Sequence, residues 1–215
     1  VDLRTDPAGI SFRMEGLDPD PGLLRLPSPA PFQAPNAALA VAACAAGLRA
    51  EGNRLDPDAV RRALAGFRIP GRLETREGRQ RWILDGAHNQ ASAEALAASL
   101  PGILGGKPAT LLVSISEGKD ASGILDALSP FFDRAVATCA DPVRSMPAGW
   151  LADAVFRIAR VPTEAVPDPA EAVARAIAAA GKEGTILATG SMFLVGRVRE
   201  ILDAPPPVAG ASTGG

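Results

Sequence analysis

Within five residues, Asp85-Gly86-Ala87-His88-Asn89 brings together a carboxylate, an imidazole and a carboxamide. His88 is the only histidine among 215 residues, so no other imidazole competes for proton transfer or for orienting a phosphate. The apolar run Trp82-Ile83-Leu84 precedes the group, and an alanine-rich amphipathic segment beginning near Ala91 follows it. A strand that runs into Asp-Gly and then into a helix start puts polar side chains at the strand's carboxyl end. Open α/β sheets bind their ligands there. The same residues also suit a plain turn, with Asp85 closing the strand and Asn89 capping the helix. Gly190-Ser191 repeats the arrangement as a tight turn between Thr185-Ile186-Leu187-Ala188-Thr189 and a last helix.

The elements that must position these residues can be read along the chain. From Gly71 onward, strands alternate with helices. Arg72-Leu73-Glu74-Thr75 and Arg81-Trp82-Ile83-Leu84 read as a hairpin about the Glu77-Gly78-Arg79 turn. A helix over 91–100 follows, then the buried-strand run from Ala109 to Ile115. Helices over 121–128, 148–159 and 192–202 and strands over 134–138 and 164–166 complete the set, with Asp168-Pro169 opening a further helix to Ala180. Strands that are nearly continuous in apolar residues and separated by helices imply an α/β fold with a mainly parallel sheet covered on both faces.

Before residue 71 the pattern is different. Gly9 to Gly16 alternates apolar and polar as a strand does. The stretch from Pro19 through Pro35 must be loop or extended connection. Asn36 opens an apolar helix over Ala37 to Leu48, and Asp56-Pro57 starts another that runs to about Phe67. Two helices preceded by a strand and a coil read as the tail of a domain whose beginning lies elsewhere. The boundary falls in Ile69-Pro70-Gly71, and residues 204–215, rich in Pro, Ala, Gly and Ser, are expected to be a disordered tail.

Composition removes several function classes. Net charge is −2 with Lys and Arg scattered, so nucleic-acid binding has no electrostatic footprint. No run approaches the roughly 18 apolar residues of a membrane span, and the first residues lack the marks of a signal peptide. Cys44 and Cys139 each sit in an apolar segment and read as buried small hydrophobes rather than a disulfide or metal pair. A reducing, cytoplasmic setting is the default expectation.

The ordered set Gln33-Ala34-Pro35-Asn36-Ala37-Ala38-Leu39-Ala40, Pro70-Gly71-Arg72-Leu73-Glu74, Leu84-Asp85-Gly86-Ala87-His88-Asn89, Lys119-Asp120 and Gly190-Ser191 resembles the carboxy-terminal portion of one family. That family is the folylpolyglutamate synthase / dihydrofolate synthase family, relatives of the Mur ligases. The resemblance implies an ATP-dependent amide ligase acting with Mg²⁺. It phosphorylates the carboxylate of a folate or dihydropteroate, and the amino group of L-glutamate then attacks the acyl phosphate. The implied fold is a P-loop ATPase domain followed by a smaller Rossmann-like domain, with the active site between them. On that reading 1–70 is a remnant of the ATPase domain plus linker, 71–203 is the Mur-ligase-like domain, and the full-length enzyme is a monomer.

By similarity, Asn36, Arg72 and Asp85 match positions that hold ATP, and His88 and Ser191 match catalytic positions near the acyl phosphate and the incoming glutamate. No metal ligand is matched here; the magnesium ligands belong to the family's other half. The residue types suit these roles. A carboxylate at a strand end accepts from ribose hydroxyls, and an arginine makes charge-assisted bonds to phosphate. An imidazole steadies developing charge, and a helix start with a hydroxyl faces an anion. Blander roles stay open beside these: Arg72 as a solvated arginine, Asn36 and Ser191 as helix caps, Lys119-Asp120 as a solvated pair.

The family's phosphate-binding loop has no counterpart. Gly102-Ile103-Leu104-Gly105-Gly106-Lys107-Pro108 fails the G-x-x-x-x-G-K-[ST] pattern, with Pro101 where the first Gly belongs and Pro108 where Mg²⁺ needs a hydroxyl. Three readings follow: a fragment of a ligase, a non-catalytic module that binds nucleotide or a partner, or a flavodoxin-like or Rossmann domain of other function.

Overall fold

The computed structural model describes residues 2–6 and 9–204. The expected tail lies, from residue 205 on, outside the described residues. The chain begins with a three-stranded antiparallel sheet of β1 (Asp2–Asp6), β2 (Gly9–Arg13) and β3 (Leu24–Leu26), in that order. Strand β3 sits inside the proline-rich stretch, in a window free of proline, and pairs through Ile10↔Leu26 and Phe12↔Leu24. Helices α1 (Gln33–Ala50) and α2 (Pro57–Ala65) cover the sheet. Ile10, Phe12, Leu24, Leu26, Ala34, Ala37, Val41 and Leu64 form their shared core. Helix α2 starts as its sequence implies, with the Asp56 side chain accepting from Asp58 N ahead of Pro57.

The larger sheet has the order β4-β5-β9-β6-β7-β8. Its strands are β4 (Glu74–Arg76), β5 (Arg81–Leu84), β6 (Ala109–Val113), β7 (Phe132–Ala137), β8 (Thr163–Ala165) and β9 (Thr185–Thr189). Only β4 is antiparallel to its neighbour; the other pairs are parallel. The helices are α3 (Gln90–Leu104), α4 (Ala121–Leu128), α5 (Ala148–Ala159), α6 (Pro169–Ala180) and α7 (Met192–Asp203), with a 3-10 turn at Ser129–Phe131. Helices α3, α4 and α5 bury Leu96, Ile124, Leu125 and Val155 with Ile83, Leu111 and Leu187 on one face. Helices α6 and α7 bury Val173, Leu194 and Val198 with Trp82, Leu112 and Ile186 on the other. Alternate residues of each central strand thus feed opposite cores, which is why these strands read as unbroken apolar runs. Among the described residues no helix is long and apolar enough to cross a membrane.

Local differences from the sequence reading have local causes. Leu73 has φ 51°, a left-handed conformation that no strand accommodates, so β4 begins at Glu74 rather than Arg72. Helix α1 begins at Gln33, not Asn36. Pro35 fits its first turn, where no intrahelical donor is required, and the position before the helix is Phe32, with no side-chain cap. Asn36 is therefore not an N-cap. Helix α3 passes through Pro101 and stops at Gly105, whose φ is 60°. Cys44 is exposed and Cys139 only partly buried. Helix α1 is apolar on nearly every side, so hydropathy did not distinguish its covered face from its open one.

Candidate active site

Four parallel neighbours, β5, β9, β6 and β7, end together: Leu84 pairs with Ala188, and Val113 with Thr189 and Ala137. The loops that leave these ends carry most of the residues singled out from the sequence. After β5, the Asp85 amide continues the ladder by donating to Ala188 O at 3.1 Å. Its side chain turns inward and is 3% exposed. Asp85 Oδ2 accepts from Leu73 N at 2.7 Å and Oδ1 from Ala87 N at 2.8 Å. Burial raises the carboxyl above the usual carboxylate range; the two backbone donors and the nearby charges of Arg72 and His88 offset part of that rise.

His88 is half-buried and its Nδ1 lies 2.9 Å from Gly86 O. A carbonyl can only accept, so this contact assigns the proton to Nδ1 and leaves Nε2 for another partner. The next residue, Asn89, closes a reciprocal cap on α3: Asn89 Oδ1 accepts from Ser92 N at 2.8 Å, and Ser92 Oγ accepts from Asn89 N at 3.1 Å. After β9, Ser191 is buried and caps α7, its Oγ accepting from Phe193 N at 3.1 Å. The neighbouring Thr189 Oγ1 is fully buried and has no hydrogen-bond partner among the described residues.

The β6 and β7 loops are tied to each other. Ser116 and Ser145 form a β-bridge, and Glu117 N donates to Arg144 O at 2.7 Å. Ser114 Oγ and Ser145 Oγ are 3.1 Å apart beneath them. Asp120 caps α4 by accepting from Gly123 N at 3.0 Å, while Lys119 stands exposed beside it. The Arg144 guanidinium lies 5.3 Å from the centroid of the Phe193 ring, which brings the β7 loop against the first turn of α7. Sequence reasoning missed Arg144 and Phe193. Their signals were the position of Phe193 two residues after Ser191 and the Asp141-Pro142 turn just beyond a buried strand.

The five candidate residues divide between two adjoining places. Asp85, His88 and Ser191 belong to the strand ends. Asn36 and Arg72 line a cavity of about 1020 Å³ between α1, α2 and the segment entering β4, together with Leu64, Phe67, Glu74 and Arg199. Asn36 is exposed in the first turn of α1, its Nδ2 3.3 Å from Gln33 Oε1. Arg72 joins the two places, since it lines the cavity and its charge reaches Asp85. The cavity combines apolar walls with four arginines, Arg54, Arg68, Arg72 and Arg199, a lining suited to a flat base beside anionic oxygens. Among the described residues no group of three or more His, Cys, Asp or Glu could hold a metal ion.

The family model described as "Mur ligase, glutamate ligase domain" matches residues 71–192, more than half of the chain. Over 131 residues the chain is 38% identical to the dihydrofolate synthase/folylpolyglutamate synthase of Mycobacterium tuberculosis, covering 60% of this chain and 27% of that protein. The Escherichia coli protein of the same description is 30% identical over 170 residues, 79% of this chain and 38% of its own length. Among solved structures, Mycobacterium tuberculosis folylpolyglutamate synthase complexed with ADP superposes with a TM-score of 0.79 at 30% identity, covering 96% of this chain and 48% of that one. Escherichia coli FolC in complex with DHPP and ADP gives a TM-score of 0.73 at 28% identity, covering 94% and 45%. The chain therefore spans about half the length of the solved relatives it matches.

Proposed function

Because the chain belongs to the Mur ligase family through its glutamate ligase domain, we propose that it is part of an ATP-dependent ligase. The ligase joins L-glutamate to the carboxylate of dihydropteroate or a folate through an acyl phosphate. The observation that carries this reading is the junction at Arg72. One side of it is the cavity with Asn36; the other is the group of strand ends that bears Asp85, His88 and Ser191. ATP seats in that cavity with its base against the apolar wall and its phosphates toward Arg72. His88 presents Nε2 toward the migrating phosphoryl group; with Nδ1–H held by Gly86 O, a proton taken up on Nε2 makes it a donor that steadies negative charge as it develops. The start of α7 with Ser191 offers backbone N–H groups to an anionic substrate group.

Residues 1–70 belong, in this reading, with the ATPase domain and its linker, and 71–203 form the glutamate-ligase domain. Magnesium, a partner of the nucleotide, takes its ligands from residues other than these. The working protein is a cytoplasmic monomer. A second reading, a nucleotide-binding module without catalysis, draws on the lack of any G-x-x-x-x-G-K-[ST] sequence in these 215 residues.

The test is glutamate addition to dihydropteroate and to reduced folates, followed by mass spectrometry. It is run on the 215-residue chain and on the longest translated product that contains it. ATP-dependent product is expected from the long protein and none above background from the 215 residues alone. ADP binding without ligation by the long protein would favour the module, and ligation by the 215 residues alone would overturn the account of a divided site.

A further inference from the structure

Met192 is the first residue of α7, directly after the cap Ser191, and its side chain lies across two loops. A Cβ built on Gly86 would lie 1.9 Å from Met192 Sδ and 2.8 Å from its Cγ, so the thioether fills the place that any side chain at 86 would need. The terminal methyl reaches the linker loop: a Cβ on Gly71 would lie 3.3 Å from Met192 Cε. Gly71 and Gly86 are themselves joined, Gly86 N donating to Gly71 O at 2.8 Å. Met192 thus covers the crossing of the linker loop with the turn after β5.

That crossing carries two of the candidate residues. Gly86 O accepts from His88 Nδ1 at 2.9 Å, and Arg72 follows Gly71 directly. A change in the side chain that presses on both glycines therefore shifts the peptides that aim His88 and Arg72. The same side chain is open to solvent. Met14 packs against the small core and Met146 against the core beneath α3, α4 and α5, both partly buried, whereas Met192 is 42% exposed. Oxidation turns a flexible apolar thioether into a polar, chiral sulfoxide and disrupts apolar contacts that the sulfur makes. At Met192 those contacts are with glycine backbone, which has no side chain to follow the sulfur as it withdraws toward water.

We propose that Met192 is a site of reversible oxidation that tunes ligation. A lone pair of Sδ bonds one oxygen of hydrogen peroxide and the O–O bond breaks. The proton on the transferred oxygen passes to the departing hydroxide, which leaves as water. Sulfur loses two electrons and the peroxide gains them. A thiol-dependent methionine sulfoxide reductase reverses the change, removing the oxygen as water while two thiols become a disulfide. The loss of ligation on oxidation rests on the function proposed above; the reactivity of Met192 and its hold on the crossing do not.

The first arm of the test uses the 215-residue chain. Hydrogen peroxide is added in steps and each methionine is followed by peptide mass spectrometry, which also separates the exposed Cys44 from the methionines. Met192 should oxidise at least about threefold faster than Met14 or Met146. Equal or slower oxidation overturns the site. In NMR spectra of the oxidised chain, the Gly71 and Gly86 amides should shift. The Gly86 amide should exchange on the order of tenfold faster, with Leu111 and Leu112 of β6 unchanged. Unmoved Gly71 and Gly86 signals beside a fully oxidised Met192 overturn its hold on the crossing.

The second arm measures ligation by the longest translated product that contains the chain, before and after the same treatment. Oxidation should lower kcat/KM for ATP on the order of tenfold, since small displacements of positioning groups are costly, and reductase treatment should restore it. Met192→Leu conserves volume, should ligate normally and should resist the oxidant. Full activity with Met192 oxidised, or an equal loss in Met192→Leu, overturns the regulatory role. If the untreated long protein does not ligate, the functional reading falls, and the first arm still decides the site.

Discussion

Replacing Gly71 by Ala tests how tightly the loop that carries Arg72 is held. A Cβ on Gly71 would lie 2.7 Å from Val195 Cγ1 and 3.3 Å from Met192 Cε. Val195 is 1% exposed and belongs to the core beneath α7, so it has little room to move. Two costs add. An L side chain at left-handed φ costs about 1–2 kcal/mol, and a methyl forced into a filled core about 1–3 kcal/mol. The sum, about 2–5 kcal/mol, is a large part of the roughly 5–15 kcal/mol that holds a domain together. Gly118 is the control: its φ is 75°, yet nothing lies within 4 Å of the added Cβ, so its replacement bears only the first cost.

Urea unfolding of the variants reads both numbers. With a slope of about 2 kcal/mol per molar, a loss of about 3 kcal/mol lowers the midpoint by roughly 1.5 M, against about 0.5–1 M for Gly118→Ala. Val195→Ala should rescue Gly71→Ala, leaving the double variant more stable than the sum of single effects by about 1 kcal/mol or more. Equal midpoints for Gly71→Ala and Gly118→Ala, or strict additivity with Val195→Ala, would refute the close approach.

Further outcomes can be measured on the same scaffold. Burial works to raise the Glu74 carboxyl, but bonds from Arg76, Gly71 and Arg199 outweigh it, so the group titrates below its ordinary range. Its contribution is thus present above the unfolded value of about 4.3 and lost as pH falls through the lower folded value. Unfolding curves of wild type and Glu74→Gln should differ at pH 7 and converge in strong acid; a gap that widens below pH 4 would contradict the sign. In the whole ligase, His88→Ala should lower kcat by roughly 10²-fold or more with little change in the KM for ATP, because charge at the phosphoryl group develops in the transition state. Wild-type kcat in that variant would reduce His88 to a turn residue. Asp56→Ala removes the cap of α2 and should cost about 1 kcal/mol in the same urea assay; no measurable loss would mean that α2 does not need its cap.

The periodicity of the sequence carried most of the fold, for physical reasons that also show where it stopped. Helices α2, α5 and α6 begin and end close to their expected positions because each has an amphipathic face, and α2 and α6 open on Asp-Pro. The central strands were legible because they are buried on both faces. Strand β3 was not, since three residues between prolines carry no period. The start of β4 was misjudged because the left-handed turn at Leu73 is imposed from a distance, by Asp85 and the close approach of α7. At the candidate site, the single histidine and the Asp-Gly turn could be seen in one dimension. The Asp85–Leu73 bond, the seat of Arg144 on Phe193 and the cavity shared by Asn36 and Arg72 join residues far apart in sequence. No local pattern announces such pairs.

The central claim is that the Arg72 loop and the neighbouring strand ends bind and use ATP. Steady-state ligation by the whole protein, with Arg72→Ala compared against Arg79→Ala, tests it most directly. Arg79 is exposed in the β4–β5 turn, at the other end of β5. Arg72→Ala should lose at least about tenfold in kcat/KM for ATP, as removal of a charge-assisted phosphate contact requires. Arg79→Ala should keep the wild-type value. Full kcat/KM for ATP in Arg72→Ala would contradict the claim.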